Sequence, residues 1–348
     1  MNDPVEFLGP AERLVGVELV DDWIVTERMK RDPGGTGQSR SACYRAKKGT
    51  AIAFVKAFDF RGEEKNRTVD QLNDMTAEFI NERRVHEICR DNNFTRVTTI
   101  IASGGTEVDG EVVHYIICEY AERSLRELHP PGEQVTPPAE RLLALRQVAS
   151  ALEQLHGASI AHQDVKPSNA VKQDGVFKLT DLGSSSCKHL PAAPHDQEWF
   201  AGQSAYAPYE LLYAERGSWE QRRLGCDVFL LGNMAFTSFV GYSITAFVVG
   251  VLPDKLKPFS GYNVRFSEVL PDLIENHRSM IPEIIQVCVP AVIAKEFLAL
   301  IDTTCHPDPE RRGHPRNILG SGSRYGLERY TSKLNQLAAI VGKLGVAA

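Results

Sequence analysis

The side chains whose types and order suit chemistry gather in one short stretch, His162-Gln163-Asp164-Val165-Lys166-Pro167-Ser168-Asn169, with Asp181-Leu182-Gly183 following twelve residues after Asn169. A carboxylate such as Asp164 can orient a hydroxyl and accept its proton. The oxygens of Asn169 and Asp181 are hard donors of the kind that hold a divalent cation. Phosphoryl transfer is a chemistry that asks for both. Upstream, the apolar run Ala53-Phe54-Val55 ends in Lys56. An ammonium on such a strand needs an anionic partner or an open edge, because burying it unpaired is costly.

Elements of two characters must position these groups. From Trp23 to Phe60, short β-type runs (Trp23-Ile24-Val25, Ala42-Cys43-Tyr44 and 51–58) alternate with turn residues, which predicts an antiparallel meander. Residues 68–90 change to a helical period, with Leu72, Met75, Phe79, Val85 and Ile88 among charges, and two strands are expected over 97–101 and 112–118. Pro137-Pro138 opens a helical stretch carrying Leu142, Leu145, Val148, Leu152 and Leu155 on one face, after which most of the chain reads helical. The exceptions are Ala170-Val171 and 176–179, joined by the Asp174-Gly175 turn. Leu327, Tyr330, Leu334 and Leu337 predict one added helix near the C-terminus. The expected class is α+β, with a sheet-rich part hinged near 119–124 to a larger helical one.

Composition narrows the functions. With 348 residues, 43% hydrophobic and 24% charged, the chain is globular and long enough for two lobes. A net charge of -6 gives no chain-wide basic field, so neither nucleic acid nor an anionic membrane is expected as a partner. The seven cysteines are scattered without any Cys-x-x-Cys spacing, which disfavours a disulfide framework or a zinc site and points to a reducing compartment. The first residues are acidic and lack an apolar core, so no secretory signal is expected and the location reads as cytoplasmic. Residues 228–253 carry no charge and are long enough to cross a bilayer. Asn233, Ser238, Ser243 and the glycines 232, 241 and 250 interrupt them, which favours a buried core segment.

The Asp164 stretch resembles the catalytic core of the eukaryotic-type, bacterial-looking Ser/Thr protein kinase family, whose pattern is His-Arg-Asp, Asn five positions after the Asp, then Asp-Phe-Gly. The resemblance implies Asp164 as catalytic base and Lys166 as the lysine of the Ser/Thr-directed branch, neutralising the transferring phosphoryl. It implies Asn169 and Asp181 as magnesium ligands. Lys56 stands like the family's strand lysine and Asn81-Glu82-Arg83-Arg84-Val85 looks like its helix-C segment, so Glu82 is implied as the partner of Lys56, with Glu78 one turn earlier as second choice. Gly34, Gly35 and Gly37 occupy the phosphate loop, Glu119 and Tyr120 the nucleotide-binding segment, and Cys118 the back of that pocket. Downstream, Ala207-Pro208-Tyr209-Glu210 is similar to the Ala-Pro-Glu segment with a Tyr inserted. Cys226-Asp227-Val228 opens what resembles the central buried helix, whose leading Asp ties down the catalytic loop. Arg312, in Asp308-Pro309-Glu310-Arg311-Arg312, is implied as the mate of Glu210.

The implied fold is bilobal and protein-kinase-like: a lead-in over 1–20, an N-lobe over 21–120, a C-lobe over 121–320 and a C-terminal helix over 321–348. The implied activity is ATP-dependent transfer of the γ-phosphate to Ser/Thr hydroxyls of protein substrates, with ATP and Mg2+ as cofactors. Neither the substrate nor the oligomeric state is written in the sequence. Four departures stand out. The phosphate loop has no third Gly, where Ser41 stands; Phe54 replaces a small Ala above the adenine; Gln163 replaces the Arg that grips a phosphorylated loop in many relatives; Leu182 replaces Phe. The loop and Phe54 motivate an alternative, a pseudokinase serving as scaffold or nucleotide sensor. A small-molecule kinase shares the His-x-Asp-x-x-x-x-Asn spacing but has no reason to keep Glu210, Asp227 and Arg312.

Overall fold

A computed structural model describes residues 9–29, 41–58, 60, 68–127, 136–196 and 200–344. They fall into two units, one of residues 1–94 with 98–122, the other of 95–97 with 123–348.

The first unit is built on strands β1 Glu18–Leu19, β2 Trp23–Arg28, β3 Ser41–Lys48, β4 Ala51–Phe58, β5 Ile100–Val108 and β6 Glu111–Glu119, with helix α1 Val69–Asp91 between β4 and β5. They form one antiparallel sheet in the order β1-β2-β3-β4-β6-β5. Period-two alternation divides β4 between the two faces. Ala53, Val55 and Ala57 enter a core with Trp23, Tyr44, Tyr115 and Ile117, while Phe54 and Phe58 pack on the other side with Phe79, Ile100, Ile116 and Cys118. Ala11, Leu14 and Leu19, within the stretch read as a lead-in, belong to the first of these cores. Thr68 caps α1 by accepting from the Gln71 amide at 3.2 Å, and Gln71 Oε1 accepts in return from the Thr68 amide at 2.8 Å. The strand expected over 97–101 begins later, at Ile100, because Val97 pairs with Leu179 in an isolated parallel bridge of the second unit.

The second unit contains strands β7 Arg123–Ser124, β8 Ile160–Ala161, β9 Ala170–Gln173, β10 Val176–Leu179 and β11 Ser186–Cys187. Its helices are α2 Pro138–Gly157, α3 Tyr209–Leu212, α4 Trp219–Arg222, α5 Leu224–Val240, α6 Ile244–Gly250, α7 Phe266–Cys288, α8 Ala291–Thr304, α9 Pro315–Ile318 and α10 Glu328–Lys343. The strands make two small antiparallel sheets, β10-β9-β7 and β11-β8. The five apolar residues predicted on one face of α2 are all fully buried. The uncharged run forms α5 and α6, and nearly every α5 side chain is buried. No single helix among the described residues is long and apolar enough to cross a membrane, and the helices over 219–240 and 244–250 meet at 86°.

Candidate active site

The site residues of the first unit sit on β4, on α1 and at the end of β6. Lys56 faces the α1 side of the sheet, and its Nζ donates to both carboxylate oxygens of Glu82, at 2.8 and 3.0 Å. Glu82 is buried, so the pair answers the need for an anionic partner read from the apolar strand. Phe54 lies directly across from Cys118 in the β4–β6 register. Burial pushes the Cys118 thiol up, with the Glu82 charge adding to the shift. The side chains of Glu119 and Tyr120 are both engaged, Glu119 by the Thr99 amide at 3.0 Å and the Tyr120 hydroxyl by Arg45 Nη2 at 2.6 Å. Gly34, Gly35 and Gly37, read from the sequence as the phosphate loop, lie outside the described residues.

In the second unit the loop after β8 carries Asp164, Lys166 and Asn169. Its anchor is Asp227 on α5, fully buried, whose carboxylate accepts from the His162 amide at 2.8 Å and the Gln163 amide at 2.7 Å. His156 on α2 approaches the same carboxylate at 2.9 Å. These bonds hold Gln163 at φ 63°, a left-handed conformation costing about 1–2 kcal/mol for a residue with a side chain. His162 Nδ1 accepts from the Asp164 amide at 3.2 Å and its Nε2 lies 3.0 Å from the Thr180 carbonyl, which fixes the neutral tautomer with the proton on Nε2. One imidazole thereby links the Asp164 loop to the residue before Asp181.

Asp164 is buried, and its Oδ2 accepts from Lys166 Nζ at 2.7 Å and from Asn169 Nδ2 at 2.9 Å. Oδ1 faces the Gln203 amide at 3.4 Å. Burial raises the Asp164 carboxyl above its ordinary value, Lys166 pulls it back, and the Asp181 charge pushes it up again. Asp181 adopts the left-handed region at φ 62° and ψ 74°, at the start of a short 3-10 turn, and the buried Leu182 follows it. With Asn169 Nδ2 directed at Asp164, its Oδ1 is approached by the Ser168 hydroxyl at 3.4 Å. Asn169 Oδ1 and the Asp181 carboxylate are hard oxygen donors and fit a magnesium-like cation.

Further on, Arg312 donates to both oxygens of Glu210, at 2.5 and 2.8 Å, with each partner buried and the guanidinium 4.9 Å from the Phe229 ring centre. Two groups were not anticipated. Neither His156 nor Arg223 gave a signal in the sequence. Arg223 Nη1 donates to Gln163 Oε1.

The model described as Protein kinase domain matches residues 33–321. The chain is 23% identical over 288 residues to the human hormonally up-regulated neu tumor-associated kinase, covering 80% of this chain and 34% of that protein. It is 27% identical over 228 residues to the serine/threonine-protein kinase PTK1/STK1 of Saccharomyces cerevisiae, covering 61% and 32%. With a Wee1-like protein kinase of Arabidopsis thaliana it shares 27% identity over 166 residues, 46% and 31%. The chain thus spans about a third of the length of these curated relatives. A match over most of the sequence, on a sheet-rich unit followed by a mainly helical one, establishes that the chain belongs to the protein kinase domain family.

Proposed function

We propose that this chain is a protein kinase that transfers the γ-phosphate of ATP to Ser/Thr hydroxyls of protein substrates. The observation that carries the reading is the Asp164 carboxylate, bonded by Lys166 and Asn169 on a loop suspended from Asp227. In this reading Asp164 orients the substrate hydroxyl and takes its proton. Lys166, held at Asp164, supplies positive charge as the phosphoryl group moves. Lys56, kept in place by Glu82, binds the nucleotide's phosphates. Asn169 and Asp181 would hold a divalent cation, magnesium by its donor preference, which when bound neutralises charge on those phosphates.

The test is transfer of radiolabelled γ-phosphate to a generic basic protein. Asp164→Asn should lower turnover by roughly 10²- to 10⁴-fold while leaving ATP affinity nearly unchanged. Undiminished turnover overturns the assignment. Asp181→Asn should weaken nucleotide binding in the presence of magnesium, read by calorimetry, and an unchanged affinity would reduce Asp181 to a turn residue. Phe54 favours a second reading, a scaffold or nucleotide-sensing module without catalysis, because its half-buried ring packs beside Cys118 where relatives keep a small residue. ATP that binds but is never transferred supports the nucleotide-sensing form of that reading, and ATP that fails to bind at all, with or without magnesium, supports the scaffold form.

A further inference from the structure

Gln163 sits where many relatives carry an arginine for a loop phosphate, and its surroundings show what has replaced that arrangement. Its side chain is fully buried, with Nε2 donating to the Ser184 carbonyl at 2.8 Å and Oε1 accepting from Arg223 Nη1. Arg223 is itself only 3% exposed. Its Nη2 donates to the Asp196 carbonyl at 2.7 Å and stands 3.2 Å from Asp196 Oδ1. The other carboxylate oxygen accepts from the Ala193 amide at 3.1 Å, and the Asp196 amide returns a bond to the Ala193 carbonyl at 2.8 Å. Asp196 is therefore fixed within its own turn before it meets the guanidinium.

A guanidinium this deeply buried needs an anion, since burial lowers its pKa and the Asp196 charge is the largest influence opposing that. The cation comes from the start of α5 and the anion from the chain between the Asp181 motif and Glu210. Gln163 bridges them as a neutral donor and acceptor. An added phosphate has little to do here. Ser185 and Ser186 are buried, and Lys188 is paired with Glu220 at 2.6 Å. The far end of the same segment reaches the reacting group. Gly202 lies so close to the catalytic loop that a Cβ there would stand 2.5 Å from the Gln163 carbonyl and 3.0 Å from Asp164 Oδ1.

Resting on the kinase reading, we propose that Asp196 and Arg223 form a phosphate-free clasp in which the carboxylate acts as the phosphate does in other family members, positioning residues 184–196 against the Asp164 loop. Asp196 and Arg223 are positioning residues and do not touch the reacting atoms.

The experiment compares the full chain with Asp196→Asn, Asp196→Glu and Gln163→Arg. It follows kcat, the KM for ATP, and amide hydrogen exchange across 184–196. Asp196→Asn, nearly isosteric, should lower kcat about tenfold or more with little change in the KM for ATP, and speed exchange in the segment by a similar factor. Asp196→Glu, which keeps the charge, should recover most of both. Gln163→Arg sets a second guanidinium beside Arg223 and should lower kcat. Phosphatase treatment of the unaltered chain should change neither readout. Wild-type kcat and exchange in Asp196→Asn overturn the clasp, as does a phosphatase effect as large as that of Asp196→Asn. If the unaltered chain transfers no phosphate the kinase reading fails, and exchange alone then decides whether the clasp holds the segment.

Discussion

At Asp164 two opposing influences meet on one carboxylate. Burial favours its protonated form and the ammonium of Lys166 favours the ionised form, and only the ionised form can accept a proton. Activity should fall as pH drops through the raised pKa of this group, earlier on the way down than for an ordinary aspartate. Replacing Lys166 with Met removes the largest influence that lowers that pKa. The acid limb of the kcat–pH profile should therefore move to higher pH, along with a lower plateau, and a limb that stays in place shows that Asp164 is not the group being titrated. The residues of this loop were readable because they are contiguous. The partner of Lys56 was readable from the resemblance of 81–85 to the family's helix-C segment, which put Glu82 ahead of Glu78, and Lys56 does bond Glu82. Arg223 and Asp196 were not readable, since the contacts that give them meaning join residues 27 and 60 positions apart and no local pattern encodes them.

The uncharged run shows what an element's sequence reveals and what it withholds. Its glycines and polar residues marked it as a buried core segment, and the break at Gly241, in the left-handed region at φ 89°, separates α5 from α6. The reason for one of those glycines appears only in three dimensions. A Cβ on Gly232 would come 2.0 Å from Thr304 Oγ1 and 2.6 Å from Cys305 Sγ, both fully buried on the chain leaving α8. Thr304 cannot swing aside without losing its 2.8 Å bond to the Leu300 carbonyl. Gly232→Ala should thus cost about 1–3 kcal/mol from overpacking, read as a lower urea midpoint, although alanine is the better helix former. Gly250→Ala, with nothing within 4 Å of the new methyl, is the control and should show no loss. Element edges were less readable. Leu72 was expected on the apolar side of α1 and is exposed, because burial of that helix begins only at Met75.

At the scale of the molecule, the second unit closes on itself through pairs distant in sequence. Glu210 and Arg312 are 102 residues apart, and both are buried. Arg312→Met would leave the Glu210 carboxylate buried without its partner, at a cost of about 3–5 kcal/mol. Adding Glu210→Gln should return part of that loss, and thermal unfolding of the two variants measures the difference. A longer span separates α2 from α10, which packs on it and on α8, burying Tyr330, Leu334 and Leu337 and placing the Thr331 hydroxyl on Glu153. The partner of Glu153 is thus translated 178 residues after it. At the usual pace of synthesis that gap lasts roughly ten to forty seconds, during which one side of α2 has left the ribosome and its cover has not been made. A nascent chain stalled short of residue 328 leaves that side of α2 without the apolar cover that Leu334 and Leu337 supply.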